Sequence, residues 1–119
     1  MESELTDAAK DLAPDTAFGI AYNAALRLCT IGLYASGYRV RQGANHHHYS
    51  IRSLPLVLGN QAEDLSNFLD TCRKKRHTAN YDSIGMISPA ELKELLRAVE
   101  QLEAMVREWL MEEHENLLA

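Results

Sequence analysis

The chain has 119 residues, of which 46% are hydrophobic and 24% charged, and its formal net charge at pH 7 is -5. This length and apolar content predict one globular domain over residues 1–119. The acidic balance argues against general nucleic-acid binding through long-range electrostatics, because phosphate contacts need clustered lysine and arginine. A local basic site remains compatible with it.

The compartment is indicated by the cysteines and by the apolar pattern. Cys29 and Cys72 each lie in an apolar helical pattern, which predicts buried thiols in a reducing compartment rather than a disulfide. The acidic start MESELTDAAKDLA lacks the features of a signal peptide, and no apolar run approaches the roughly 20 residues of a membrane span. We therefore expect a cytoplasmic protein without membrane association.

The first half of the chain predicts a long central helix. A short helix is predicted at residues 6–12. After the first proline, Asp15 and Thr16 are predicted to cap a long helix that ends at the Ser-Gly pair at 36–37. This helix is apolar nearly all round, which places it at the centre of a bundle or at a subunit contact.

Three further helices are predicted in the second half. The first runs from about residue 45 to 58, and Pro55 must kink it or end it early. The second starts near Gln61. The third opens with the capping box Ser88-Pro-Ala-Glu and continues to about residue 114. The sequence thus predicts an all-α fold, an antiparallel four-helix bundle of up-and-down type with a short extra N-terminal helix.

The stretch CRKKRHTANYD, residues 72–82, concentrates positive charge at the end of the second of these helices. Most of this charge is explained by its favourable interaction with the helix dipole. Arg76 differs, because its spacing puts it on the same stripe as Leu69 and Cys72. An inward arginine must be paired or must open onto a cleft. Both a structural ion pair and a functional arginine fit this pattern.

Three consecutive histidines at 46–48 invite a metal site. On a helix, successive side chains point about 100° apart, so the three cannot converge on one ion within a chain. No CxxC or HExxH motif accompanies them. We expect helix capping or the polar lining of a cleft, and neither a metal nor another cofactor.

The motif R-x-K-R-x-x-x-x-Y-D at residues 73–82, followed by a capping box and a long amphipathic helix, resembles the HEPN superfamily (higher eukaryotes and prokaryotes nucleotide-binding domain). The segment ALRLCTIGLYASGYRVRQGANHHHYSIRSLPLVLG is similar to the first half of a bacterial HEPN group, in which GYR and a His-His pair precede the second hairpin. The resemblance covers about residues 18–110 and includes an Arg-x4-Tyr variant of the motif.

The resemblance implies site residues where the motif matches. HEPN ribonucleases use an Arg-x4-6-His motif, generally with two copies facing each other across a homodimer. Arg76 matches the arginine, Tyr81 occupies the place of the histidine, and His77 adjoins the arginine, so these three are the predicted catalytic residues. The predicted ligand-binding residues are Arg73, Asn80, Asp82, His47 and His48.

Two functions follow from the resemblance. A tyrosine with a pKa of about 10 is a poor base at neutral pH, which favours a HEPN-like homodimeric interaction or nucleotide- or RNA-binding module with weak or no nuclease activity. Such a module would pair with a nucleotidyltransferase in a toxin–antitoxin-like system. The alternative is a toxin-type, metal-independent endoribonuclease that uses Arg76 with His77 or Tyr81. A third hypothesis is a helical protein with a purely structural role.

Overall fold

The structure, a computed structural model, describes residues 13–37, 46–81 and 87–113, with the side chains of these residues except at 77–81 and 113. Its elements are α1 (Pro14–Ala35), α2 (His46–Arg52), α3 (Leu54–Leu58), a 3-10 turn (Asn60–Ala62), α4 (Glu63–Tyr81) and α5 (Pro89–Glu113). No strand occurs within the described ranges, and the predicted all-α helical bundle is confirmed. The helix predicted at 6–12 lies outside them.

Helix α1 begins earlier than its sequence predicts. Its N-cap is Ala13, Pro14 follows as the first helical residue, and no side chain caps the helix. The predicted caps Asp15 and Thr16 are therefore wrong, because the fixed φ of proline suits the first helical position. The Asp15 carboxylate instead accepts a hydrogen bond from the Ile87 backbone N–H at 3.2 Å. At the other end, the turn at Gly37, with φ of 88°, follows the helix as predicted.

The segment predicted as one helix over 45–58 is divided into α2 and α3 at Ser53. Pro55 has no backbone N–H, so the helical hydrogen bond to residue 51 cannot form there. The Ser53 hydroxyl donates to the Ser50 carbonyl at 2.8 Å, which satisfies one carbonyl beside the break. The predicted effect of this proline is confirmed.

The capping box at the start of α5 is formed as predicted. The Ser88 N–H donates to Glu91 Oε1 at 2.9 Å, and the Glu91 N–H donates to Ser88 Oγ at 3.1 Å. Lys75 of α4 also pairs with Glu91, which ties the two helices together at this end. The hydrogen bonds of the box satisfy donors that the first turn of a helix leaves without partners.

The core is one cluster of buried side chains from all five helices. Its largest members include Phe18, Tyr22, Ile51, Leu69, Leu95 and Leu102. Cys29 and Cys72 are free, buried thiols, as predicted. Among the described helices, none is long and apolar enough to cross a membrane.

The three long helices alternate in direction. Asp15 at the start of α1 contacts Ile87 just before α5, so α1 and α5 begin at the same end of the bundle. Arg76, near the end of α4, contacts Asn23 in the first half of α1, so α4 runs the opposite way. The long helices α1 and α4 are therefore antiparallel, as are α4 and α5.

The short segment formed by α2 and α3 instead advances along α1 in the same direction as α1. His47 contacts Tyr22, whereas Val57 lies beside Gly32, 3.4 Å from where a Cβ on that glycine would stand. As a result α2 starts beside the first half of α1, where α4 ends. Polar side chains from these three helices meet there.

Candidate functional site

Polar side chains from α1, α2 and α4 form one connected group, which we call the Arg76 cluster. Its members are Tyr22 and Asn23 from α1, His47 and His48 from α2, and Asp70, Arg73 and Arg76 from α4. Four of them, His47, His48, Arg73 and Arg76, were predicted site residues. Tertiary packing thus joins the histidine segment to the basic segment.

Arg76 lies against the surface of α1. Its guanidinium carbon is 5.3 Å from the centroid of the Tyr22 ring, and its Nη1 donates to Asn23 Oδ1 at 3.0 Å. Gly19 lies beside it, and a Cβ at that position would stand 3.5 Å from Arg76 Nε, in ordinary contact. The cation–π contact and the amide bond therefore fix the plane of the guanidinium.

The basic side chains at residues 73–76 differ in their acidic partners. Arg73 and Lys74 approach Asp70, and Lys75 pairs with Glu91. No carboxylate among the described residues pairs with Arg76. A structural ion pair at Arg76 thus has no support in this part of the chain.

Asp70 joins α4 to α2. Its Oδ1 accepts from Arg73 Nε at 2.9 Å and lies 3.1 Å from His48 Nδ1, while its side chain is only 13% exposed. Burial by itself raises the pKa of this carboxyl, but the hydrogen bonds from Arg73 and His48 outweigh it and hold the pKa at about 2. Asp70 is therefore ionised at neutral pH and can only accept hydrogen bonds.

His47 is tied to α1 rather than to a carboxylate. Its Nδ1 lies 3.3 Å from the Tyr22 hydroxyl. Burial raises the pKa of Tyr22 to about 12, so this phenol keeps its proton. Burial, together with the electrostatic influence of the neighbouring His46, Arg76 and Arg73, lowers the pKa of His47, so its ring is neutral at pH 7.

The chemistry of the Arg76 cluster suits an anionic ligand. At neutral pH it carries two guanidinium groups and one carboxylate, beside the ammonium of Lys74. A guanidinium presents several N–H donors in one plane, a geometry that matches the oxygens of phosphate or carboxylate. The cluster is thus locally cationic on a chain whose net charge is -5.

The other four predicted site residues lie at the end of α4 or just beyond it in the sequence. His77, Asn80 and Tyr81 belong to the last turns of α4, but their side chains lie outside the described part of the structure. Asp82 lies outside the described residues altogether. The catalytic roles predicted for His77 and Tyr81, and the binding roles predicted for Asn80 and Asp82, therefore stay predictions.

Sequence reasoning missed Gly19, Tyr22, Asn23 and Asp70. Two signals for them exist in the chain. Asn23 is an amide within a helix that is otherwise apolar nearly all round, and Asp70 stands three residues before Arg73, a spacing that brings opposite charges together on a helix. Neither signal by itself identifies the partner helix.

The histidine triplet separates into different environments. His47 contacts Tyr22 and His48 contacts Asp70, which agrees with the predicted polar lining of a cleft. His46 Nδ1 is buried without a hydrogen-bond partner among the described residues. Within those residues no group of three or more histidine, cysteine or acidic side chains is arranged to hold a metal ion.

The chain has no significant match among models of protein families, curated proteins or solved structures. The resemblance to HEPN proteins therefore stays a prediction from sequence motifs and from the order of the helices. The geometry of the Arg76 cluster is an independent observation, because it depends on contacts that the motif does not contain.

Proposed function

We propose that the chain is a HEPN-like helical module that binds a phosphate group of a nucleotide or of RNA at the Arg76 cluster. The observation that carries this proposal is the state of Arg76, which is held by Tyr22 and Asn23 but has no carboxylate partner in the described structure. Arg76 is partly exposed, so its guanidinium is accessible to a ligand while Tyr22 and Asn23 hold it in place. A bound phosphate supplies a counter-charge through charge-assisted hydrogen bonds.

The acidic composition limits how such a module binds. With a net charge of -5, the chain gains little from long-range attraction to a polyanion. Arg73 and Arg76 instead offer a small number of direct phosphate contacts. Binding would therefore depend on these two side chains rather than on a broad basic surface.

The proposed module is a homodimer. The proposal of a dimer is supported by an apolar stripe on α1 formed by Ile20, Ile31 and Tyr34. These side chains are 43%, 45% and 47% exposed, respectively. These positions share one face of the helix with Asn23, which bonds to Arg76. Exposed apolar side chains gathered on one face are typical of interaction surfaces. A second copy on this stripe would bring its own Arg76 cluster near the first.

The biological setting belongs to the same proposal. A nucleotidyltransferase partner, a toxin–antitoxin-like system and a place in the bacterial cytoplasm are implied by the resemblance to HEPN proteins. Their support is this sequence resemblance alone. Binding of phosphate at the Arg76 cluster does not depend on this partner, system or compartment.

A second candidate function is metal-independent RNA cleavage, with Arg76 assisted by His77 or Tyr81. It is favoured by the presence of imidazoles in the same cluster as Arg76, since imidazole transfers protons near neutral pH.

The binding proposal can be tested with single-stranded 2'-O-methyl RNA, which lacks the hydroxyl needed for cleavage. Fluorescence anisotropy in EDTA would compare wild type with Arg76→Ala. We expect the variant to bind roughly tenfold more weakly or worse, the loss typical of one charge-assisted hydrogen bond. Arg97→Ala removes the same charge from an exposed position on α5 and should bind like wild type. Equal binding by wild type and Arg76→Ala would contradict the proposal.

A further inference from the structure

The pair formed by His48 and Asp70 has the arrangement of a general base and its orienting carboxylate. Their Nδ1 and Oδ1 atoms are 3.1 Å apart. Since the Asp70 carboxylate is ionised at neutral pH and can only accept, the proton between them belongs to His48 Nδ1. In the neutral imidazole, Nε2 then carries the lone pair that can take a proton.

This base stands next to the cationic part of the Arg76 cluster. The same Asp70 Oδ1 accepts from Arg73 Nε at 2.9 Å, so the side chains of His48 and Arg73 lie side by side. The His48 side chain is 36% exposed and that of Asp70 only 13%, so the ring reaches solvent while the carboxylate is covered. A ligand held by the guanidinium groups would therefore lie close to the ring.

Among the described side chains, the two histidines of the cluster differ in what holds them. His47 Nδ1 lies against the neutral hydroxyl of Tyr22, whereas His48 Nδ1 faces a carboxylate. A carboxylate both orients the ring of a histidine and stabilises the imidazolium that forms when the ring accepts a proton. His48 is thus the better suited of the two to accept a substrate proton.

We propose that His48, positioned by Asp70, is the general base of an RNA-cleaving reaction at the Arg76 cluster; this inference rests on the proposed phosphate-binding function. His48 Nε2 takes the proton of a ribose 2'-OH, and the 2' oxygen forms a bond to the adjacent phosphorus. The bond from phosphorus to the 5' oxygen breaks, and that oxygen takes a proton from water. The products are a 2',3'-cyclic phosphate and a 5'-hydroxyl, and His48 returns its proton to solvent.

The two arginines supply the electrostatic part of the step. Negative charge builds up on the phosphate oxygens as the 2' oxygen attacks, and guanidinium groups fixed beforehand stabilise it. Arg76 is held in place by Tyr22 and Asn23, and Arg73 by Asp70. This assignment gives the chain a proton acceptor that does not depend on Tyr81, the residue in the place of the motif histidine.

Charged and aromatic side chains surround His48. From α4 it faces the carboxylate of Asp70, which also holds Arg73 and Lys74 beside the ring. On its own helix, the Tyr49 ring lies 5.5 Å away, measured between ring centroids. From α1, the cluster is bounded by Tyr22 and Asn23.

The test measures cleavage of single-stranded RNA in EDTA, with detection of the cyclic phosphate, beside binding of 2'-O-methyl RNA. We expect His48→Gln to lower the cleavage rate by about 100-fold or more and to weaken binding of 2'-O-methyl RNA far less than that. Asp70→Asn should also lower kcat for cleavage by more than it raises KM, because the amide provides no counter-charge for the imidazolium that forms during the reaction. His46→Gln changes the neighbouring histidine, which lacks contact with Asp70, and should cleave like wild type.

Chemical rescue separates proton transfer from a structural role. In His48→Ala, imidazole added to the buffer should restore part of the cleavage, because it can enter the space of the missing ring. The inference is overturned if wild type binds 2'-O-methyl RNA but leaves RNA intact, or if His48→Gln cleaves at the wild-type rate. If wild type does not bind 2'-O-methyl RNA at all, the proposed function fails as well.

Discussion

The guanidinium of Arg76, near the end of α4, lies over the ring of Tyr22 in the first half of α1, with its carbon 5.3 Å from the ring centroid. Tyr22 is itself only 1% exposed, so the cation rests on a rigid part of the core. Because the ring and Asn23 hold the guanidinium from one side, its remaining N–H donors are oriented before any ligand arrives. Orientation in advance lowers the entropy cost of binding.

This geometry predicts that charge alone does not suffice at position 76. In Arg76→Lys the charge remains, but the planar group that stacks on Tyr22 and can contact two phosphate oxygens is lost. We expect binding of 2'-O-methyl RNA to weaken by roughly tenfold, measured by anisotropy. The slope of log affinity against log salt should fall by about 0.7 only in Arg76→Ala, where a whole phosphate contact disappears. Wild-type affinity in Arg76→Lys would count against the stacked geometry.

Asp70 should make stability depend on pH in a defined direction. The pKa of its carboxyl falls from an ordinary 3.8 to about 2 in the folded protein. A lowered folded pKa contributes stability that is present above the ordinary value and is lost as pH falls through the folded value. Asp70→Asn should therefore lower the free energy of unfolding by about 1.5 to 3 kcal/mol at neutral pH, the usual range for charged hydrogen bonds.

Urea denaturation at a series of pH values checks this linkage. The difference between wild type and Asp70→Asn should be constant at neutral pH, shrink below the ordinary carboxyl value and be largely lost once pH has fallen through about 2, the folded value. A difference that does not change with pH would mean that Asp70 is not held ionised by Arg73 and His48.

The N-termini of α1 and α5 should differ in how much their expected capping side chains contribute to stability. Ser88→Ala should lower the free energy of unfolding by about 1 kcal/mol, because it removes the acceptor for the Glu91 N–H. Thr16→Ala should have little effect, since Thr16 is exposed and lies inside the first turn of α1. Urea denaturation measures the free energy of unfolding of both variants. An equal loss of stability in the two would mean that Thr16 does cap α1, as the sequence predicts.

Self-association should depend on the apolar stripe of α1. Light scattering at micromolar concentration should give twice the mass of one chain for wild type and the mass of one chain for Ile20→Asp, because a buried carboxylate opposes the contact. Leu56→Asp is the matched control, since Leu56 is 87% exposed on α3, away from the stripe. A wild-type protein with the mass of one chain would remove the proposed dimer.

Local and periodic features could be predicted from the sequence. The capping box at Ser88, the break caused by Pro55 and the burial of Cys29 and Cys72 depend on residues a few positions apart, and all are observed. The predicted cap of α1 is wrong because the capping preference of Asp15 and Thr16 competes with the preference of proline for the first helical position. Proline at the first helical position prevailed, and a distant N–H at residue 87 engaged the side chain expected to cap.

The candidate site could be predicted only in part. The spacing that puts Arg76 on an inward stripe is local, so that residue could be found in the sequence. Its neighbours Tyr22 and Asn23 belong to a helix far away in the chain, and their role depends on how α1 and α4 pack. The link between His48 and Asp70 likewise needs the direction of α2 along α1. Helical periodicity does not determine that direction.

The central claim is direct contact between Arg76 and a phosphate, and the side-chain Nε–H resonance of Arg76 reports it. Its signal in a nitrogen–proton NMR spectrum can be assigned by its loss in Arg76→Lys and followed while 2'-O-methyl RNA is added. We expect the Arg76 signal to move and to saturate with the same affinity that anisotropy gives, while the signal of Arg97 stays in place. An unmoved Arg76 signal, with RNA bound and other residues shifting, would contradict phosphate binding at this site.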